Sequence, residues 1–246
     1  MKQKNFIFGI RPVIEAILSG KEIEKLLLQK GLRGEGFREL FKLCQELEIH
    51  FQFVPAEKLN ALSKQNHQGV IAYISDVVYQ RLEDIIPFVY EQGRPPLILI
   101  LDRITDVRNM GAIARTAECA GVDALVVPVQ GSAQINSEAI KTSAGALYKL
   151  PVCRSRNLKD ELQLLKASGV RIIAATEKGE KEHTDVDMSG PVAIILGNEG
   201  TGIAKELLTL ADEQVFIPVL GEIGSLNVSV ATGVILYEAV RQRRPE

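Results

Sequence analysis

The chain has 246 residues, enough for one large domain or two modest ones, each with its own core. With 46% hydrophobic residues, 24% charged residues and a net charge of −2, it is neither disordered by composition nor strongly basic. Its longest apolar runs, such as Leu97–Leu101 and Val192–Leu196, are strand-length and too short to cross a bilayer.

Residues 1–75 carry 11 Lys and Arg against 8 Asp and Glu, which leaves 18 against 23 for the remainder. That small basic excess permits a phosphate-tracking surface on the N-terminal part. Met1-Lys2-Gln3-Lys4-Asn5 leads into no apolar segment with a cleavage site, so no secretion signal is expected. Cys44, Cys119 and Cys153 are odd in number and widely separated, with no zinc-type spacing to His50, His67 or His183. Three reduced, buried thiols, no metal and a cytoplasmic location are the expectations.

The first 75 residues alternate. The pattern predicts a strand at Ile23–Gln29, an amphipathic helix at Gly36–Glu48 and a strand at His50–Val54. A short helix at Pro55–Lys64, opened by its proline, and a strand at Val70–Ser75 complete an α/β unit. Residues 76–96 have mixed charge and end in Gly93-Arg94-Pro95-Pro96, which reads as a linker. From residue 97 the alternation restarts as a second α/β domain over 97–246. Strands are predicted at Leu97–Leu101, Ala124–Val127, Val170–Ala175, Val192–Leu196 and Gln214–Ile217. The helices between them are Met110–Ala120, Asn136–Ala146, Leu158–Ser168 and Ile203–Ala211, and Val228–Arg243 closes the domain. Nearly continuous apolar strands suit a parallel sheet covered on both faces.

Three polar segments fall after predicted strands, where open parallel sheets collect ligands. Asp102–Arg108 leads into Asn109-Met110-Gly111-Ala112-Ile113-Ala114-Arg115-Thr116. Gly197-Asn198-Glu199-Gly200-Thr201-Gly202 follows the fourth strand, and Gly221–Asn227 opens into Ser225-Leu226-Asn227-Val228-Ser229-Val230-Ala231. The glycine segment has neither GxGxxG order nor a P-loop lysine. It either ends a strand as a turn or lets a ligand lie on backbone groups. Arg115 either pairs with Glu118 on the surface or aims its planar fork at a phosphate or oxyanion. Glu199 is a solvated turn residue or a partner for a ribose hydroxyl, and Ser225 and Asn227 are helix caps or ligand contacts. His67 reads as a structural histidine.

Taken in order, Asn-x-Gly-Ala-Ile-x-Arg-Thr, Leu-Gly-Asn-Glu-Gly-x-Gly and Ile-Pro near Ser-Leu-Asn-Val-Ser-Val-Ala resemble the three motifs of the SpoU (TrmH) RNA ribose methyltransferases, of the SPOUT class. The resemblance spans roughly residues 97–243. Phe8-Gly9-Ile10 and His67-Gln68-Gly69-Val70-Ile71-Ala72 look like the ribosomal-protein-like RNA-binding domain of the subgroup that methylates a guanosine of 23S rRNA. Gly224 stands where members often carry Ser. The resemblance implies methyl transfer from S-adenosyl-L-methionine to a ribose 2′-hydroxyl, on that rRNA or alternatively on tRNA or another rRNA nucleotide. It implies a deep trefoil knot in the catalytic domain and a homodimer packed through C-terminal helices, with RNA as partner and no membrane or metal. Carried over position by position, cofactor contacts fall on Thr176, Gly197, Ile217 and Leu226, and catalytic positions on Asn109, Arg115, Glu199, Ser225 and Asn227. Five polar residues kept on ligand-facing loops argue against an RNA-binding protein without catalysis.

Overall fold

A computed structural model of the chain describes residues 6–47, 49–75 and 77–244. The N-terminal pentapeptide read for a signal, the last residue of the predicted helix 36–48 and the first of the predicted linker lie outside them. The chain divides into two compact units, with the break between Val78 and Tyr79.

In the first unit the order is β1 (Phe6–Phe8), α1 (Ile10–Leu18), β2 (Ile23–Gln29), α2 (Glu35–Glu46), β3 (Phe51–Val54), α3 (Ala56–Leu62) and β4 (Val70–Ile74). The sheet runs β1-β4-β2-β3, with β2 and β3 parallel and β4 antiparallel to both its neighbours. Successive side chains of a strand point to opposite faces, and β2 uses this directly. Leu26 and Leu28 pack with Val13, Ile17, Leu40 and Cys44 on one side, while Leu27 packs with Val54, Leu59 and Ile71 on the other. Burial among these apolar groups pushes the Cys44 thiol up to about 11, so it is an inert core residue. His67 is buried, accepts the Gly69 N–H on Nδ1 at 3.0 Å and meets Asn60 Oδ1 through Nε2 at 2.9 Å. It holds the turn into β4, as a structural histidine would.

The second unit begins with β5 (Tyr79–Gln80) and α4 (Leu82–Glu91), then β6 (Leu97–Asp102), α5 (Val107–Cys119), β7 (Ala124–Pro128), α6 (Ser137–Thr142) and β8 (Val152–Ser155). It continues with α7 (Leu158–Ala167), β9 (Arg171–Ala175), β10 (Lys181–Glu182), β11 (Val192–Gly197), α8 (Lys205–Leu208), β12 (Glu213–Phe216) and α9 (Val228–Arg243). Among the described residues the sheet has eight strands in the order β10-β12-β9-β11-β6-β7-β8-β5, every neighbouring pair parallel. All six residues of β6 are buried. Ile98 and Ile100 share a core with Leu82, Ile86 and Val89 of α4 and with Leu162 of α7.

Four expectations are corrected. Residues 79–96 are part of this unit and no free linker, because β5 pairs with β8 and the apolar stripe Leu82, Ile85, Ile86, Val89 of α4 enters the core. The helix expected over 136–146 stops at Thr142, since Ala144 and Gly145 take positive φ values of 52° and 85°. The one expected over 203–211 shrinks to Lys205–Leu208. Cys119, expected to be buried with the other two thiols, is exposed at the end of α5. On α9, Thr232 is fully buried, and a Cβ on Gly233 would stand 3.8 Å from Thr116 of α5.

Candidate active site

Because β12, β9, β11 and β6 are parallel neighbours, their C-terminal ends lie along one sheet edge, and the three polar loops leave from that edge. Each loop is fastened before it presents its functional side chain. Asp106 caps α5 by accepting the N–H groups of Arg108 and Asn109, both at 2.8 Å, which sets Asn109 in the first turn. Asn227 caps α9 through Oδ1, which accepts from Ser229 N at 2.9 Å and Ser229 Oγ at 2.6 Å. The Ser229 N–H requires an acceptor, so the Asn227 amide has its NH₂ directed away from the helix.

That NH₂ completes a cluster of three side chains drawn from the three loops. Asn109 Nδ2 donates to Glu199 Oε1 at 2.6 Å, and Asn227 Nδ2 reaches Glu199 Oε1 at 3.0 Å and Asn109 Oδ1 at 3.1 Å. Glu199 Oε1 therefore accepts from both side-chain amides at once.

The loop carrying Glu199 is held by residues that sequence patterns do not reveal. Asn198 Oδ1 accepts Gly200 N at 2.8 Å and Thr201 N at 3.2 Å, while its Nδ2 donates to Arg103 O at 2.9 Å. Asp102, 3% exposed, accepts Arg103 Nε at 2.8 Å and Nη2 at 2.9 Å, and its Oδ2 also takes the Ala204 N–H at 2.7 Å. Arg103, at a φ of 58°, returns a 3.3 Å bond from Nη2 to Gly202 O. A side chain on Gly197 has no room, since its Cβ would fall inside the backbone of Gly202 and Ile203. The capping role of Asp106 had a usable signal, an Asp just before a helical pattern. The roles of Asp102, Arg103 and Asn198 had none.

Between these loops lies a cavity of about 260 Å³. Leu196, Ile203, Val215, Ile217, Val228 and Ala231 supply apolar walls for a flat ring, and Thr176, Ser225 and Asn227 supply polar edges. The four positions expected to contact the cofactor, Thr176, Gly197, Ile217 and Leu226, all line it, as do Glu199, Ser225 and Asn227. Asn109 joins through its bond to Glu199. Arg115 stands apart on the exposed side of α5, outside the cavity wall, with no hydrogen bond or ion pair to a described residue. The surface partner considered for it, Glu118, is instead 3.9 Å from Lys149.

Comparison with known proteins matches both units. Residues 96–237 fit the model of the SpoU rRNA methylase family, and residues 6–80 fit the substrate-binding domain of RNA 2′-O ribose methyltransferases. A relative in Staphylococcus saprophyticus, named as a TrmH family tRNA/rRNA methyltransferase, is 34% identical over 237 residues, covering 96% of this chain and 95% of its own. The Bacillus subtilis relative YacO, of the same designation, is 30% identical over 245 residues, or 99% of this chain and 98% of its own. Among solved structures, the SpoU methyltransferase AviRb from Streptomyces viridochromogenes with AdoMet bound aligns with a TM-score of 0.61 and 27% identity over 97% of this chain and 90% of that one. An AdoMet-bound rRNA methyltransferase from Sinorhizobium meliloti aligns with a TM-score of 0.60 and 26% identity over 96% and 86%. With both of its units matched, the chain belongs to the SpoU family of RNA 2′-O-ribose methyltransferases.

Proposed function

We propose that this protein uses S-adenosylmethionine to methylate the ribose 2′-hydroxyl of a guanosine in 23S rRNA. The observation that carries the reading is the Asn109–Glu199–Asn227 cluster set beside a cavity whose apolar walls and backbone-rich loops suit an adenosyl group. When bound, the cofactor would supply an electrophilic methyl on a sulfonium sulfur for the ribose oxygen, whose proton would pass to solvent. Everything else falls to the chain's own side chains. Thr176, Gly197, Ile217 and Leu226 hold the cofactor, and Ser225 and Asn227 order the loop over it and the incoming hydroxyl. Asn109 and Glu199 position the ribose, since a hydroxyl is a poor nucleophile until it is aligned and strongly hydrogen-bonded. Arg115 acts as a cation, because arginine does not give up its proton in proteins. Its free guanidinium binds the adjacent phosphate and stabilises the forming alkoxide.

Arg115 does so in a site to which both subunits contribute residues. The protein works as a homodimer in which α9 of each copy is covered by the other, consistent with Val230 and Tyr237 standing about half exposed, at 53% and 50%. The chain threads a trefoil knot through the 197–202 and 221–227 loops. The N-terminal unit, with its basic excess and its substrate-binding family match, supplies the RNA grip.

The test is transfer of labelled methyl to unmodified 23S rRNA and to bulk tRNA, with the product mapped by resistance to alkaline cleavage. Label at one alkali-resistant guanosine of the rRNA is the expected result. Label in tRNA alone keeps the reaction and overturns the substrate.

A further inference from the structure

Glu177 follows Thr176 off the C-terminal end of β9 and lines the cavity, yet it has no part in the cluster at Glu199. Its carboxylate is exposed and makes no hydrogen bond or ion pair with a described residue. Lys178 beside it is exposed and outside the cavity wall, with its backbone N–H turned to Thr176 Oγ1 at 3.4 Å. Among the described residues, no lysine, arginine or histidine lines this cavity, and its charged groups are two carboxylates, Glu177 and Glu199. Two amides occupy Oε1 of Glu199. Both carboxylate oxygens of Glu177 are without a partner among the described residues.

A cavity walled this way repels phosphates and favours a cation. We propose that Glu177 is the residue by which the site distinguishes the positively charged sulfonium cofactor from its spent, neutral-sulfur thioether. The inference rests on the cofactor assignment above. Methyl transfer breaks the S–CH₃ bond with its pair left on sulfur, forms the O–CH₃ bond and releases the hydroxyl proton, so the sulfur loses one unit of positive charge. Attraction to Glu177 is therefore present before the reaction and absent after it, which tilts exchange towards fresh cofactor. Because Glu177 stays in water, it pays little desolvation. In largely aqueous surroundings a charge attraction of this kind discriminates by about three- to tenfold. The ribose hydroxyls and the amino-acid end are common to both molecules, so contacts with them cancel in a ratio of affinities.

The experiment is calorimetric binding of S-adenosylmethionine and of S-adenosylhomocysteine to the wild-type protein, Glu177→Gln, Glu177→Lys and the surface control Glu91→Gln, exposed on α4 and outside the cavity wall. The expected result is a three- to tenfold rise in the ratio of the two Kd values for Glu177→Gln, all of it from weaker S-adenosylmethionine binding. Glu177→Lys raises the ratio further, Glu91→Gln leaves it unchanged, and added salt shrinks the differences. Equal weakening of both ligands places Glu177 on the ribose or the amine and overturns the inference, as does an unchanged ratio. A wild-type protein that binds neither ligand defeats the cofactor assignment itself, a separate failure.

Discussion

Replacing Asp102 by Asn tests whether the loop bearing Glu199 is held from the end of β6. The carboxylate is 3% exposed, with Oδ1 taking Arg103 Nε at 2.8 Å and Oδ2 taking both Arg103 Nη2 at 2.9 Å and Ala204 N at 2.7 Å. An asparagine has the same shape but puts an NH₂ where one acceptor was. If the NH₂ takes the Oδ2 place, Ala204 N–H and Arg103 Nη2 both face a donor. If it takes the Oδ1 place, Arg103 Nε does. In either orientation a charged partner is lost and at least one donor is left without an acceptor. Hydrogen bonds to charged groups contribute about 1.5–3 kcal/mol each. The Arg103 side chain is 40% exposed, so water recovers part of its share. The expected loss is about 2–3 kcal/mol, or roughly 5–10 °C in the melting temperature of the second unit. Thermal unfolding measures the global effect, and hydrogen exchange at the Ala204 amide measures the local one. Cofactor affinity falls as well, because Gly202 and Ile203 line the cavity. A melting temperature within about 2 °C of wild type, with the Ala204 amide still protected, would refute the reasoning.

Gly197→Ala drives a methyl into the backbone of Gly202 and Ile203, which no rotamer relieves; a cost of about 1–3 kcal/mol and a cofactor affinity at least about tenfold weaker are expected by calorimetry. Binding within a factor of about two would count against that contact. Arg115→Lys keeps the charge and loses the planar fork, so single-turnover methylation should slow by about ten- to a hundredfold with cofactor affinity unchanged. Near-normal turnover would remove the phosphate-clamp role. On α9, hydrogen bonds from Arg241 and Gln242 hold the Glu238 carboxyl well below its ordinary value, at about 2. A depressed carboxylate stabilises the fold above its ordinary pKa and loses that contribution as pH falls through the folded value. Wild type should thus lose about 1–2 kcal/mol between roughly pH 5 and pH 2 that Glu238→Gln does not, read from denaturant midpoints across that range.

Much of this was legible where a local pattern reports a local structure. The strand Ile23–Gln29 and the helix Val228–Arg243 end where the sequence predicts, because apolar periodicity and an Asn cap mark them. The central strands were visible as unbroken apolar runs, and their loops led to the site. The linker expectation failed because the charged residues of 76–96 that fall in α4 lie on its outer face, and Gly93-Arg94-Pro95-Pro96 is only the turn into β6. The supports under Glu199 were out of reach for a different reason. Asn198 bonds to Arg103 across 95 positions and Ala204 to Asp102 across 102, and no local pattern reports a pairing made only by the fold. Arg115 was singled out by motif, but which way its helix turns it is a matter of tertiary packing.

The position of β11 bears on how this protein is made. The strand sits between β6 and β9, both earlier in the chain, and pairs with each along its length. A nascent chain that has reached residue 175 holds the two neighbours but lacks the strand that joins them, so each presents a row of bare N–H and C=O groups on an apolar face. Such edges invite pairing with other chains. The long sequence separations also make closure slow compared with local folding. Synthesis of this protein therefore passes through an interval in which the middle of its own sheet is missing. A chain cut short before Val192, where β11 begins, is expected to collect in aggregates instead of surviving as a smaller folded enzyme.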